Sequence, residues 1–86
     1  MRAVFKYKLT GSQTAVHMNQ GARILSAGVQ NDEIVLWALI EDNSPPVLRR
    51  VECINTGVYS TSFGEYVATV TVGEIVWHIF DYGEFQ

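Results

Sequence analysis

The chain has 86 residues, 48% of them hydrophobic and 17% charged, enough apolar content for one folded domain and too much for a disordered segment. Its formal charge of −3 argues against nucleic acid as the main partner. A single cysteine, Cys53, excludes an internal disulfide and fits a reducing compartment.

Residues 3 to 9 alternate, with Ala3, Phe5, Tyr7 and Leu9 on one face and Lys6 and Lys8 on the other, which predicts a half-buried strand. Thr10-Gly11-Ser12-Gln13 is a turn. Thr14, Val16 and Met18 make a short strand, and Ala22 to Gln30 a third, with Gly28 as a candidate bulge. Asn31-Asp32 is a two-residue hairpin loop, because both residue types tolerate the left-handed region. Glu33 to Ile40 contains Leu36-Trp37-Ala38-Leu39-Ile40, apolar at consecutive positions, so this strand is expected to bury both faces. Pro45 and Pro46 end that run, and Val47 to Ile54 resumes as a strand. Asn55 to Gly64 is the longest irregular connection, rich in Ser, Thr and Gly, yet it carries Tyr59 and Phe63. Glu65 to Val72, a turn at Gly73-Glu74 and Ile75 to Tyr82 form the last hairpin, and residues 83–86 read as a frayed tail. The outcome is a single all-β domain over residues 1–86, a small antiparallel sandwich or partly open barrel of about seven strands.

All six basic residues (Arg2, Lys6, Lys8, Arg23, Arg49 and Arg50) lie in the first fifty positions, and the rest of the chain is acidic. Adjacent first and last strands that pair these charges would explain the layout; an acidic patch for a basic partner is the alternative. Trp37 and Trp77, on the two strands expected at the centre, are read as core, with one exposed ring as the functional alternative. His78 points away from Trp77 and reads as a hydrogen-bonded core residue. His17 and His78, without a cysteine pair or nearby acidic ligands, do not make a zinc site. Ser60, Ser62, Cys53, His78 and Asp81 have no spacing that marks a nucleophile and its base, so no catalytic residue, metal or cofactor is assigned. Arg49 and Arg50 are consecutive and face opposite sides; either could join Tyr59 or Phe63 in holding an anion. Tyr59, Phe63 and Tyr66 make the segment from Gly57 to Tyr66 the first candidate for a contact surface, since tyrosine gives large area at low entropic cost.

Phe5-Lys6-Tyr7, Gly21-Ala22-Arg23-Ile24-Leu25-Ser26, Leu36-Trp37-Ala38-Leu39, Thr56-Gly57 and Val76-Trp77-His78-Ile79-Phe80 occur in this order. Taken together they resemble a family of short, uncharacterised proteins of unknown function encoded by phages and by prophages in bacterial genomes. The chain departs from that pattern between Val58 and Gly64 and after Phe80. The resemblance implies a phage-type accessory protein in the bacterial host cytoplasm, and it implies no reaction. No uninterrupted apolar stretch reaches the roughly 18 residues of a membrane span, and Lys6 interrupts the first apolar residues before a secretory signal could form. The expected function is a non-catalytic protein-interaction module that binds a host or phage protein, with no membrane role. A binder of a small anionic, nucleotide-like ligand and a self-assembling subunit are the alternatives, and a homodimer through strand edges is compatible with the first reading.

Overall fold

The computed structural model describes residues 1–10 and 15–85. The expected turn at Gly11-Ser12-Gln13, and Thr14 with it, lies outside the described residues. Seven strands follow one another: β1 (Arg2–Leu9), β2 (Ala15–Asn19), β3 (Arg23–Gln30), β4 (Glu33–Glu41), β5 (Pro46–Asn55), β6 (Glu65–Val72) and β7 (Ile75–Glu84). They form two antiparallel sheets, one of three strands in the order β1-β4-β3 and one of four in the order β2-β5-β7-β6. Beside one another at one flank, β3 and β6 pack without a ladder, so the sandwich does not close into a barrel. No helix occurs among the described residues, hence none long and apolar enough to cross a membrane.

Alternation decides what each strand buries. From β4, Ile34, Leu36, Ala38 and Ile40 point inward; they meet Leu9, Val16, Met18, Val51, Val70 and Ile79 from five other strands. A fully buried leucine or isoleucine contributes roughly 1.5–3 kcal/mol, so these residues hold the two sheets together. The hairpin between β3 and β4 turns at Asn31 and Asp32, whose φ values of 51° and 62° are those of a type I′ turn. Each of the two expected central strands does lie between two neighbours.

Four expectations change. The first and last strands are not adjacent: β1 pairs only with β4, and β7 sits in the other sheet between β5 and β6. Opposite charges instead meet locally, Arg49 with Asp81, Arg50 with Glu52 and Lys8 with Glu33. Gly28 is not a bulge. The register of β3 shifts between Ile24 and Ser26, and Gly28 lies flat beneath Trp37, whose ring would be 3.0 Å from an added Cβ. Trp37 therefore packs on the outer face of the three-stranded sheet, whereas Trp77 packs against the core from β7. Finally, Gly83 and Glu84 are paired strand residues, opposite Arg50 and Arg49, and the Phe85 amide donates to the Leu48 carbonyl at 3.0 Å. Gly83 has φ of 88°, and its amide donates to Asp81 Oδ1 at 2.9 Å; this local turn absorbs a register shift and lets β7 continue.

Candidate functional site

Because Trp77 and Ile79 face the core, Val76, His78 and Phe80 must face outward from the middle of the four-stranded sheet. Register then fixes their neighbours. Phe80 lies between Glu52 of β5 and Tyr66 of β6, and His78 between Ile54 and Thr69. The connection from Asn55 to Gly64 folds back over the same strands. It leaves β5 through Gly57, with φ of 92°, and the Asn55 side chain donates to the Val76 carbonyl at 3.1 Å. Ser60 and Ser62 close a small turn, the Ser60 hydroxyl donating to the Ser62 carbonyl at 2.7 Å. The chain rejoins the sheet at Gly64, where a Cβ would overlap the Asp81 carbonyl, so only glycine allows this approach.

That path sets Phe63 against Phe80, with ring centroids 5.0 Å apart, and Tyr66 meets Phe80 edge-on at 5.9 Å. Such pairs contribute about 0.5–1.5 kcal/mol each beyond area burial. Beside the rings, polar contacts run in a line: Tyr66 hydroxyl to Thr69 hydroxyl at 2.8 Å, Thr69 to His78 Nδ1 at 3.0 Å, and His78 Nε2 to Thr56 hydroxyl at 2.7 Å. His78 is thus hydrogen-bonded as expected, though half-buried on the outer face rather than in the core. Thr56 and His78 have the spacing of a hydroxyl nucleophile and its base. The other ring nitrogen meets a neutral hydroxyl, however, where a carboxylate would be needed to stabilise an imidazolium. What the line does is tie the start of the connection to β6 and β7. Ile54, Val58, Phe63 and Phe80, together with Thr56 and His78, border a hollow of about 150 Å³.

The neighbouring arginines divide between inside and outside. Arg49 points inward and makes a bidentate pair with Asp81, at 3.0 and 2.7 Å, and its third nitrogen donates to the Ala22 carbonyl. The two side chains are only 13% and 11% exposed, and the carboxylate beside it holds the Arg49 guanidinium above its usual range. Arg50 points outward, pairs with Glu52 and lies 4.2 Å over the Tyr82 ring. Neither arginine touches Tyr59 or Phe63. Cys53 faces inward from β5, and burial pushes its thiol up to about 11, which leaves it protonated and unreactive near neutral pH.

Of the residues singled out from the sequence, Phe63, Tyr66 and Arg50 share this outer face, Tyr59 stands clear of it at 98% exposure, and Arg49 belongs to the interior. Phe80, His78, Tyr82, Thr56 and Thr69 complete the face. The alternation of β7 contained the signal for Phe80 and His78: once Trp77 and Ile79 are inward, the residues between and beyond them are outward. The acidic second half does not gather into a single patch, since Asp81, Glu52 and Glu84 are held by Arg49, Arg50 and the Gly21 amide. Neither a curated protein nor a solved structure matches this chain. A family model matches residues 1–86, and the chain accordingly belongs to the family described as Domain of unknown function (DUF7352).

Proposed function

We propose that this chain is a non-catalytic protein-interaction module whose contact surface is the outer face of the four-stranded sheet. The carrying observation is the hollow beside Phe63 and Phe80. At about 150 Å³ it is smaller than the roughly 300–1,000 Å³ that enclose a drug-sized ligand. It matches one aliphatic side chain of a protein partner. Exposed Val58 and Phe63 line it and Tyr66 packs edge-on against Phe80 of its wall, and aromatic anchors around a pocket are how protein interfaces concentrate binding energy. The nucleotide-like alternative has less support, because Arg49 is committed to Asp81 and Arg50 to Glu52 and Tyr82. The phage setting, a host or phage protein as partner and the bacterial cytoplasm rest on the resemblance of the ordered segments from Phe5-Lys6-Tyr7 to Val76-Trp77-His78-Ile79-Phe80.

The test is capture from bacterial lysate by the wild type and by two folded variants, one with Tyr59, Phe63 and Tyr66 replaced by alanine, one with Lys6→Glu and Lys8→Glu on the other sheet. A protein retained by the wild type and the lysine variant, and lost by the aromatic variant, supports the reading. Retention by all three sinks it. A nucleotide that raises Tm in the wild type and not in Arg50→Ala would establish the anion-binding alternative.

A further inference from the structure

Strand β1 ends the three-stranded sheet, and its hydrogen-bonding phase can be read from both sides of β4. The Asp42 amide donates to the Met1 carbonyl at 3.0 Å, which makes Met1 and Asp42 a hydrogen-bonded pair and, with the register, Ala3·Ile40, Phe5·Ala38, Tyr7·Leu36 and Leu9·Ile34 after it. The two-residue turn at Asn31-Asp32 closes the pair Gln30·Glu33, which commits the odd residues of β4 to β3 and the even ones to β1. Both routes agree. Arg2, Val4, Lys6 and Lys8 therefore aim their main-chain N–H and C=O groups away from the sheet, and among the described residues no strand pairs with them.

The same four residues place their side chains on the outer face, beside Glu41, Leu39, Trp37 and Val35. Three of them are basic. Lys6 reaches the Gln30 amide oxygen at 2.8 Å, and Lys8 is 4.0 Å from Glu33, both contacts exposed and so weakly committed. On the opposite side, Phe5 shares the inward direction of Ala3, Tyr7 and Leu9 but remains 49% exposed. It is an inward-facing ring left uncovered because the sheet stops at β1.

A second copy of this strand is the wrong occupant. Antiparallel pairing of β1 with itself in any register close to full overlap sets Arg2 against Lys8, Arg2 against Lys6, or Lys6 against Lys6, and like charges directly opposite are destabilising. We propose that the free edge of β1 takes an extended segment of a partner protein as a fourth strand. In that segment acidic residues alternate with apolar ones, the acids facing Arg2, Lys6 and Lys8 and the apolar residues covering Phe5. Main-chain hydrogen bonds supply affinity, and the period of two supplies specificity. This surface is separate from the aromatic face of the other sheet.

A short synthetic peptide in which Glu and Val alternate is the probe, with the same design in Lys and Val as its charge control. Titration of the ¹⁵N-labelled protein, with amide exchange as readout, is expected to slow exchange at Val4, Lys6 and Lys8 by about tenfold with the acidic peptide alone. Lys6→Glu with Lys8→Glu should switch the preference to the basic peptide. Val4→Pro removes one outward N–H without touching the β1–β4 ladder, and should abolish binding while the Ala38 and Ile40 amides stay protected. Alanine at Tyr59, Phe63 and Tyr66 should leave peptide binding intact, so this inference and the proposed function fail independently. Four results would overturn it: no protection by the acidic peptide, leaving the lysines as guards against edge pairing; equal protection by both peptides; binding that survives Val4→Pro; or protection that grows with protein concentration alone, the mark of a second copy.

Discussion

Both outer faces of the sandwich carry aromatic rings over a central strand, and they differ in what holds those rings. On the three-stranded sheet, Trp37 lies on the bare backbone of Gly28, within its own sheet, and the basic side chains of Arg2, Lys6, Lys8 and Arg23 share its face. On the four-stranded sheet, Phe80 is held between Phe63 and Tyr66, so its packing depends on a connection that returns from outside the ladder. A ring seated on backbone needs only the strand register. Rings seated on other rings need the loop, the two threonines and His78 as well. The first face is a by-product of strand pairing, and its hollow is bordered by the charged Arg2, Arg23 and Glu41. The second is built by long-range side-chain contacts, and its hollow is bordered by Ile54, Val58, Phe63 and Phe80.

The comparison presumes a rigid interior between the faces, and its strongest test lies there. Arg49→Ala would strand the Asp81 carboxylate in a nearly buried site and is expected to cost about 3 kcal/mol in urea unfolding. Arg50→Ala, one residue away and outside, should cost less than about 1 kcal/mol. Equal losses would erase the distinction between inside and outside. Next come the rings themselves. Phe80→Ala and Trp37→Ala are each expected to cost about 2 kcal/mol, less than a fully buried aromatic. Only Phe80→Ala should speed amide exchange across residues 57–64. If Trp37→Ala does the same, the two faces are coupled and the contrast breaks.

Smaller changes sharpen it. Gly28→Val should push the Trp37 ring off its seat at a cost of about 1 kcal/mol, read as increased quenching of that tryptophan by acrylamide in a Trp77→Phe background. On the inward side of β5, Cys53 has a folded-state pKa of about 11 against an ordinary value near 9. Its protonated form is favoured by folding. That contribution is fully present below pH 9 and is lost as pH rises through about 11, so unfolding midpoints should fall across that window in the wild type and less in Cys53→Ala.

The strands were legible because each rests on a local pattern. Alternation in residues 3–9, the Asn31-Asp32 turn and the Gly73-Glu74 turn carry their geometry in the residue types themselves. Which strands become neighbours is another matter. The separation of bases and acids along the chain suggested that β1 and β7 pair, but charge is satisfied as well by Arg49 with Asp81 across β5 and β7, and burial of β4 between β1 and β3 decides the order. Phe63 and Tyr66 could be picked out as aromatics in a polar stretch, and the alternation of β7 put Phe80 on the outer face, but that the three rings meet could not be read, since ring contacts across sequence leave no period. Gly28 misled for the same reason: a missing Cβ in a strand signals a bulge or a close approach, and only the position of Trp37 distinguishes them.

The smallest expected effect separates the rings of the aromatic face from the polar line beside them. Tyr66→Phe keeps the edge-on contact with Phe80 and removes only the hydroxyl that meets Thr69. The bond is exposed, so the loss of stability should stay under about 1 kcal/mol. Its electronic effect should nevertheless reach His78. The line has one direction at a time: if Thr69 donates to Nδ1, then Nε2 carries the proton and donates to Thr56, and the reverse direction inverts both ends. Removing the Tyr66 hydroxyl frees Thr69 from one of its two partners and shifts the balance between these directions. The ¹⁵N shifts of the His78 ring, which report tautomer populations, should therefore move in Tyr66→Phe and stay fixed in Phe63→Ala. Unchanged shifts in Tyr66→Phe would mean that the hydroxyls act on His78 separately, and that the face is held by its rings alone.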